Sequence, residues 1–259
     1  MQIKDTVVVV TGGASGIGAA LARRFHADGA RRIVVVDRDL GGAQGVADEV
    51  DGVAECVDVT DAAAVNGLVD RTLAREGHID LFCSNAGIAT GIGLDDPDDA
   101  WHRAFDVNVM SQVYAARAVV PAMVARGSGW LLNTASAAGL LTSPGDAPYA
   151  VSKHGAVALA EWLAVTYGSQ GIGVSVLCPM GVATPLLMDP LAAGDAGAQA
   201  VAASGEIITA AAVAEAVASG LAQERFLILP HPQVGTFWAQ KASDPDRWLA
   251  GMRRLLEKQ

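Results

Sequence analysis

Short runs of mostly β-branched residues recur along this chain, and alanine-rich segments with apolar residues at helical spacing lie between them. The runs occupy residues 6–10, 32–36, 52–57, 79–84, 129–134, 173–178 and 225–230. The helical segments include residues 17–28, 62–76, 100–126, 149–168 and 209–222. Strands that alternate with helices form parallel sheets, and strands covered on both faces are apolar almost throughout. The pattern therefore predicts an α/β fold, a doubly wound parallel sheet with helices on both faces.

The alternation of strands and helices continues over most of the chain. No Pro-, Ser- or Gly-rich linker interrupts residues 1–230, so we expect them to form a single domain. Within it, residues 183–206 are small and broken by glycine, which predicts a mobile loop or short helices. Residues 231–259 form a tail that contains the amphipathic stretch DRWLAGMRRLLEK, and we expect it to be helical and to pack on the same domain.

The acidic balance of the chain limits its partners. It has 28 acidic and 18 basic residues, for a net charge of −10. Because such a charge repels phosphate backbones and anionic membrane surfaces, we expect neither nucleic acid nor a membrane as partner. No apolar run reaches the roughly 18 residues of a membrane span, and the segment MQIKDTVVVVTGG lacks the pattern of a signal peptide. The sequence thus predicts a cytoplasmic protein. The acidic run at residues 95–99 predicts helix capping and solvation, with no role in chemistry.

The cysteines and histidines do not show the spacing of a metal site. Cys56, Cys83 and Cys178 lie far apart in apolar stretches, which favours buried free thiols over disulfide or metal use. The five histidines show no i,i+4 pair and no Cys/His ligand spacing. We therefore expect no structural metal.

A glycine-rich turn follows the first strand run and opens the first helical segment, in the sequence VVVVTGGASGIGAALARRF. Glycines in this context let backbone amides approach a pyrophosphate at a helix N-terminus. The alternative is an ordinary tight turn, but a strand before and a helix after it favour a dinucleotide site. The predicted pyrophosphate-binding residues are Gly12, Ser15, Gly16, Ile17 and Gly18.

The end of the second strand run indicates which dinucleotide binds. Asp37 is placed to accept hydrogen bonds from both ribose hydroxyls of an adenosine and would repel a 2′-phosphate. The alternative is a solvated carboxylate at a strand end. Arg38 could receive such a phosphate, yet Asp37 occupies the ribose position itself and no basic residue stands at Ser15. The sequence predicts NAD as cofactor.

Taken together, four motifs resemble those of the classical branch of the short-chain dehydrogenases/reductases. They are TGGASGIG at 11–18, Asn85-Ala86-Gly87, Ser136, and Tyr149-x-x-x-Lys153, in this order. The resemblance covers roughly residues 5–230. It implies a Rossmann-type sheet of about seven strands, a cofactor of the NAD(P) type, and hydride transfer to or from a carbonyl carbon.

The resemblance also implies roles for individual positions. Asp58, with Val59 beside it, matches an acid that contacts adenine, and Asn108 matches an asparagine thought to hold a proton-relay water. The motif after residue 178 departs from the family pattern, because Cys178 stands where Asn is frequent and Met180 where Gly is usual. The implied cofactor contacts are Asp58, Val59, Asn85, Ala86, Gly87, Tyr149, Lys153, Pro179, Val182 and Thr184.

The spacing of Tyr149 and Lys153 indicates acid–base chemistry. Proton abstraction from an alcohol requires a base, and a tyrosine with a pKa of about 10 is a poor one at neutral pH. Lys153 lies on the same helical face at i+4, where its ammonium favours the charged phenol. Pro148 at the first helical position would place Tyr149 in the first turn, and Ser136 can hold the substrate oxygen by a hydrogen bond. Each residue alone has a structural alternative, but together they predict a catalytic set.

The residues near this set predict an apolar pocket. No Arg or Lys lies between Lys153 and Arg225 to bind a charged substrate. The expected substrate is a bulky neutral secondary alcohol or ketone, such as a steroid, alicyclic or aryl compound. Trp238 closes over the mouth in this hypothesis, or alternatively packs the tail. The predicted lining is Leu140, Leu141, Met180, Leu186, Leu187 and Trp238.

Three alternatives stay open at this point: a reductase of another carbonyl class, a non-catalytic NAD-binding regulator, and a structural subunit that the cofactor stabilises. The helices at 100–126 and 155–168 also carry more apolar surface than one sheet face needs. With the resemblance, this predicts a homodimer or homotetramer.

Overall fold

A computed structural model describes residues 1–91, 93–95, 97–143 and 145–256 of the chain. Seven strands form one parallel sheet in the order β3-β2-β1-β4-β5-β6-β9. The predicted doubly wound α/β fold is confirmed. The strands of this sheet are β1 (Val7–Thr11), β2 (Arg32–Asp37), β3 (Val53–Cys56), β4 (Leu81–Ser84), β5 (Gly129–Thr134), β6 (Ile172–Leu177) and β9 (Leu227–Ile228).

The helices connect successive strands and cover both faces of the sheet. They are α1 (Gly16–Ala27), α2 (Leu40–Glu49), α3 (Ala62–Glu76), α4 (Asp98–Phe105), α5 (Ser111–Arg126), α6 (Ala138–Leu141), α7 (Ala147–Tyr167), α8 (Pro185–Ala192), α9 (Ala196–Ala203), α10 (Ala210–Ala222), α11 (Gln233–Ser243) and α12 (Pro245–Leu256).

Two buried clusters form the core, one on each face of the sheet. Alternate valines of β1 supply both, since side chains of a strand point to opposite faces: Val9 belongs to the cluster under α3, α5 and α7, whereas Val8 and Val10 belong to the cluster under α1, α2 and α10. All the side chains of β1 are buried, which explains why this strand is apolar throughout.

The chain reverses its direction of winding between β1 and β4, which lie side by side. Strands β2 and β3 extend the sheet to one side of β1, and β5, β6 and β9 extend it to the other. In open α/β sheets this reversal leaves a crevice at the carboxyl ends of the two central strands, where ligands bind. Thr11 and Ser84 end these strands, so the residues that follow them face the crevice.

The helix predicted over residues 100–126 is longer and interrupted. It begins at Asp98, and between α4 and α5 the five residues Asp106–Met110 form a π-helix. Such wide turns are rare and often lie at functional sites. The sequence shows no signal for it, because the apolar spacing continues through the segment. Helix α2 was not predicted either, since three glycines weaken its helical pattern.

The segment predicted as a mobile loop or short helices contains both α8 and α9. Its two ends meet in a small parallel pair of strands, β7 (Val182–Ala183) and β8 (Ile208–Thr209). The segment is therefore closed at its base by a backbone ladder. The predicted last strand, residues 225–230, is shorter than expected, because only Leu227 and Ile228 pair with β6.

One of the three cysteines was assigned the wrong environment. Cys83 and Cys178 are buried free thiols as expected, but Cys56 is exposed. It ends β3, which is an edge strand of the sheet and has no neighbour on one side.

The tail packs on the body through aromatic side chains. Phe237 of α11 and Trp248 of α12 lie with ring centroids 6.2 Å apart, and both pack against the core cluster under α7. Lys241 of α11 donates a hydrogen bond of 2.7 Å to the carbonyl of Leu140 in α6. The division into residues 1–230 and a tail of 231–259 stays a prediction. Among the described residues, no helix combines the length and apolar character needed to cross a bilayer.

Candidate active site

The turn after β1 is shaped by glycines that no other residue replaces easily. Gly12 and Gly16 have φ values of +65° and +53°, a conformation that L side chains rarely adopt. A Cβ atom on Gly18 would lie 2.1 Å from the carbonyl oxygen of Gly12 and 2.8 Å from Nδ2 of Asn85. The first turn of α1 therefore lies directly against the glycine turn, with no room for a side chain.

The N-terminus of α1 is open to a ligand in the described structure. Ser15 is its N-cap residue, yet its side chain makes no capping hydrogen bond. Unpaired amides at a helix N-terminus bind phosphate groups. The methyl carbon of Thr184 lies 3.2 Å from the Cβ position of Gly16, so this residue approaches the turn from the β7 side. The glycine turn, the uncapped helix and Thr184 together fit a dinucleotide pyrophosphate.

Asp37 lies at the end of β2 beside the glycine turn. Its carboxylate accepts hydrogen bonds of 3.1 Å from the backbone N–H of Ala14 and of Asp39. These bonds fix the carboxylate next to the turn that would hold the pyrophosphate. This is the position from which an acid can reach the hydroxyls of an adenosine ribose.

Next to Arg38 and Asp58 the structure has a polar cavity of about 260 Å³. The Asp58 pKa is lowered by hydrogen bonds from the backbone N–H and hydroxyl of Thr60, and in part by the charge of Arg38. Sequence reasoning missed most of this cavity, because its other wall comes from a helix 40 residues further along the chain. The further lining residues are Asp99, His102, Arg103, Asp106 and Val107.

The acidic run at 95–99 is placed differently from the prediction. The N-cap residue of α4 is Pro97, and no side chain caps the helix within the described residues. Asp98 and Asp99 lie in its first turn, where negative charge is favourable, and Asp99 also lines the polar cavity. Asp96 lies outside the described residues. The expected capping hydrogen bond is thus absent from the described part, whereas the helix-dipole role is present.

The Asn85-Ala86-Gly87 turn lies between the glycine turn and the predicted catalytic residues. Asn85 donates through its backbone to the Thr11 hydroxyl at 2.9 Å and through its side chain to the Thr11 carbonyl at 3.1 Å. The position of a Cβ on Gly87 lies 3.2 Å from both Oδ1 of Asn108 and Nζ of Lys153. Glycine at 87 therefore lets the floor of the crevice approach these two side chains closely.

Tyr149 and Lys153 face each other at the beginning of α7. The ammonium nitrogen of Lys153 lies 5.6 Å from the centroid of the Tyr149 ring and donates a hydrogen bond of 3.1 Å to the Thr134 carbonyl. Lys153 is only 2% exposed. Pro148 is the second residue of α7, not the first, and Tyr149 lies in the first turn as predicted.

Burial changes the acidity of both groups. It lowers the pKa of Lys153 to about 8, so the amine is still mostly protonated at neutral pH. It also raises the pKa of Tyr149, although part of the Tyr149 residue stays accessible; a hydrogen bond with Ser136 opposes this rise, and the negative charge of Asp146 adds to it. The net direction of the Tyr149 pKa in this structure is thus upward, with desolvation as the largest cause, whereas the sequence analysis expected Lys153 to lower it.

Ser136 follows β5 and is buried beside the Pro179 turn. Its hydroxyl accepts a hydrogen bond of 3.1 Å from the backbone N–H of Ala138 and donates at 3.4 Å to the Pro179 carbonyl. The second bond is long, so a substrate oxygen could replace the carbonyl as acceptor. Burial raises the pKa of the neighbouring Cys178 thiol to about 12, which leaves it neutral.

Asn108 lies in the middle of the π-helix and is fully buried. Its side chain accepts a hydrogen bond from the Ile88 N–H at 2.9 Å, donates to the Ile88 carbonyl at 2.9 Å and donates to the Ser152 hydroxyl at 3.0 Å. The amide group therefore holds the backbone at Ile88 and the catalytic helix together. The π-helix is the local structure that points this side chain into the crevice.

The residues predicted to line the substrate pocket fall into two groups. Leu140 and Leu141 of α6 are buried and belong to the core, and Met180 packs partly against the same cluster. Leu187 reaches toward Gly181, at 3.5 Å from its Cβ position, whereas Leu186 and Trp238 are 46% and 40% exposed. Phe237 packs on the core as described above, which favours the packing alternative for that part of the tail.

His231 is a buried residue that the sequence analysis did not single out, since its partners are distant in the chain. It is 2% exposed; its Nδ1 accepts from the Met180 N–H at 3.1 Å, and its Nε2 lies 3.2 Å from the carbonyls of both Gly181 and Glu206. These contacts require the neutral ring with hydrogen on Nε2. The imidazole thus ties the backbone at both ends of the 183–206 segment to the end of the sheet.

We expect His231→Ala to lower the free energy of unfolding by about 2–4 kcal/mol, because several buried backbone groups lose their partner. Chemical denaturation measures this value. His26→Ala, which changes an exposed histidine of α1, is the matched control and should change it by less than about 0.5 kcal/mol. Equal stability losses in the two variants would contradict this role of His231.

Comparisons with known proteins show which family the sequence matches. Residues 6–193 match the family described as short chain dehydrogenase. A 1-deoxy-11-beta-hydroxypentalenate dehydrogenase from Streptomyces avermitilis is 36% identical over 96% of this chain and 93% of its own length. Oxidoreductase UcpA of Escherichia coli is 31% identical over 99% of this chain and 94% of its own.

A solved structure extends the likeness to the fold. A short-chain dehydrogenase/reductase from Burkholderia phymatum, in complex with NAD, superimposes with a TM-score of 0.86 at 29% identity, over 95% of this chain and 96% of that one. The chain therefore belongs to the short-chain dehydrogenase family, whose fold and motifs it carries. It is an oxidoreductase of that family.

Proposed function

We propose that the protein is an NAD-dependent dehydrogenase that oxidises a bulky apolar secondary alcohol to the ketone, or catalyses the reverse reduction. The observation that carries the proposal is the meeting of Tyr149, Lys153 and Ser136 at the crevice that also holds the glycine turn. Ser136 follows β5, whereas Tyr149 and Lys153 lie near the beginning of α7, so two separate elements supply the set.

In this mechanism Ser136 orients the alcohol oxygen by a hydrogen bond, and Tyr149 accepts the hydroxyl proton as general base. Lys153 keeps a positive charge beside the phenol and is itself held by the Thr134 carbonyl. Asn108 and Ser152 fix the backbone around this pair. Bound NAD would supply the hydride acceptor, and the positive charge of its oxidised nicotinamide would favour the phenolate form of Tyr149. In the reduction, Tyr149 returns the proton as general acid.

The binding of NAD would use residues from four turns at the carboxyl edge of the sheet. The glycine turn and the N-terminus of α1 would hold the pyrophosphate, Asp37 the ribose, and Asp58 with the polar cavity the adenine. Pro179, Val182 and Thr184 would hold the nicotinamide end; Val182 is buried and Thr184 lies against Gly16. The NAD complex of the Burkholderia phymatum relative supports the same choice.

We expect NAD to be preferred to NADP by at least tenfold in kcat/KM, on the order of 1.4 kcal/mol. A carboxylate about 4 Å from an added phosphate costs on the order of 4 kcal/mol per unit charge at an effective dielectric near 20, and Arg38 and solvent offset part of this. Asp37→Ser should reduce the preference, whereas Asp48→Ser, on the exposed side of α2, should leave it unchanged. Equal kcat/KM for the two cofactors in the wild type would refute the assignment.

The substrate class rests on what surrounds the catalytic set. No Arg or Lys occurs between Lys153 and Arg225, and the segment over the crevice offers Leu186, Leu187 and Met188. The Streptomyces avermitilis relative is named for a hydroxylated compound. A steady-state panel tests this proposal: ring alcohols should exceed polyols, hydroxy acids and thioester-linked substrates in kcat/KM. Sugars or hydroxy acids that outperform every ring compound would contradict it.

Self-association as a homodimer or homotetramer is part of the proposal. Helix α7 buries Val157 and Leu163 against the core but leaves Trp162 57% and Val165 86% exposed. Exposed apolar side chains in one patch are typical of protein interfaces. A monomeric mass at micromolar concentration would contradict it. The cytoplasmic location stays a prediction.

A further inference from the structure

Asp146 is a buried carboxylate at the start of the catalytic helix. It is 6% exposed and accepts four hydrogen bonds of 2.6–2.9 Å. Oδ1 accepts from the Thr90 hydroxyl and the Tyr149 N–H, and Oδ2 accepts from the N–H groups of Thr90 and Gly91. In the described residues no basic side chain forms an ion pair with it. Among the described residues, these four donors stabilise its charge.

These bonds close a ring around Tyr149. On one side Asp146 joins the Tyr149 backbone to Thr90 and Gly91. On the other side the Ser152 hydroxyl donates to the Tyr149 carbonyl at 2.9 Å and accepts from Asn108, which binds Ile88. The strip of residues 88–91 is thus held at both ends, and both connections lead to the first turn of α7.

We propose that Asp146 is a positioning residue that fixes the strip 88–91 against the first turn of α7 and so sets where Tyr149 stands relative to Asn108. This inference rests on the proposed function, in which Tyr149 is the base. It assigns to Asp146 more than the capping of a helix. An ordinary N-cap, such as Asp61 of α3, uses one oxygen for two amides of its own helix.

The second oxygen of Asp146 distinguishes the two roles. Both N–H groups that donate to Oδ2 lie outside α7, in a segment more than 50 residues away in the chain. The strip also lies close to the 183–206 segment, because the Cβ position of Gly91 is 3.7 Å from the Asp195 carboxylate that caps α9. Loss of Oδ2 as acceptor should therefore release the strip while the helix cap stays.

Asp146 also acts on Tyr149 through its charge. The charged or titratable groups that face Tyr149 are Lys153 and Asp146 on its own element and Cys178 after β6, with the neutral Ser136 hydroxyl after β5. The negative charge of Asp146 raises the Tyr149 pKa. Removal of this charge should lower that pKa, so alcohol oxidation should reach half of its maximal rate at a lower pH.

Three variants separate the roles of Asp146 in holding the strip 88–91, in capping α7 and in placing a negative charge near Tyr149. Asp146→Asn keeps the size and the acceptor for Tyr149 but places a donor against the N–H groups of Thr90 and Gly91. Asp146→Ser keeps a good N-cap for α7 and loses the hydrogen bonds to the strip 88–91. Thr90→Val keeps the charge and loses one bond. We expect the pH-independent kcat to fall about tenfold or more in both Asp146 variants and by less in Thr90→Val, since misplaced groups slow the reaction.

The pH of half-maximal rate should move down in both Asp146 variants and stay in place in Thr90→Val. Asp61→Ser is the matched control, since it changes a remote N-cap, and it should keep the wild-type kcat and pH profile. If both Asp146 variants keep the wild-type kcat and pH profile and lose only stability, as the control does, the positioning role is overturned.

Amide hydrogen exchange tests the connection without any activity. In Asp146→Ser the amides of Thr90 and Gly91 should exchange at least tenfold faster than in the wild type, while that of Tyr149 stays protected. Unchanged exchange at Thr90 and Gly91 would overturn the inference. The failure of the proposed function looks different, because it would appear as normal turnover in Tyr149→Phe together with the same exchange pattern.

Discussion

Replacement of Tyr149 by phenylalanine should lower kcat for alcohol oxidation by at least about a hundredfold, the low end of what general acid–base catalysis supplies. Phenylalanine keeps the ring that packs beside Lys153 and removes only the group that accepts the proton. NAD should still bind, because the glycine turn and Asp37 are untouched. Steady-state rates and an NAD titration of the same variant measure both quantities.

Tyr167→Phe is a suitable control for this variant. Tyr167 ends the same helix, where its ring packs edge-on against Trp162 at 6.0 Å, far along the chain from the crevice. Its hydroxyl should be dispensable for turnover. A Tyr149→Phe variant with nearly wild-type kcat would remove Tyr149 from the mechanism, whatever the control shows.

The second large effect is expected for Gly18→Ala. The added Cβ would lie 2.1 Å from the Gly12 carbonyl oxygen, so the turn and the first turn of α1 must move apart. Overpacking of this kind costs about 1–3 kcal/mol of stability. Because the same backbone would hold the pyrophosphate, we expect the Kd for NAD to rise by about a hundredfold or more, on the order of 2.7 kcal/mol. Calorimetric titration measures it.

Gly45→Ala separates this effect from glycine replacement in general. Gly45 lies within α2, and nothing is within 4 Å of its Cβ position. Alanine should therefore stabilise the helix by about 0.5–1 kcal/mol and leave the Kd for NAD unchanged. Wild-type affinity for NAD in Gly18→Ala would contradict the assignment of the glycine turn to the cofactor.

The layers of the fold were predictable because the central strands of the sheet, β1 and β4, are buried on both faces. The apolar run of β1 and the alanine-rich pattern of α3 are local signals, and the structure confirms both, with α3 at the predicted bounds. The last strand shows the limit of such signals. Residues 225–230 have strand character throughout, yet only two of them reach the ladder of β6.

The site was predictable where its residues lie in short motifs. The i+4 spacing correctly placed Lys153 beside Tyr149, since a helix sets that distance locally. It did not give the direction of the Tyr149 pKa shift in this structure, because burial depends on chain segments far away. The roles of Asp146 and His231 were not predicted for the same reason. Their hydrogen-bond partners Gly91 and Met180 lie 55 and 51 residues away in the sequence.

The central claim is that this protein transfers a hydride from a secondary alcohol to NAD while Tyr149 takes the proton. The most direct measurement uses a ring alcohol that carries deuterium on the carbinol carbon and follows the label after turnover with NAD. We predict one deuterium on the nicotinamide of the reduced cofactor with the wild-type protein, and a loss of this transfer in Tyr149→Phe. A wild-type protein that binds NAD but transfers no deuterium from any secondary alcohol tested would contradict the account.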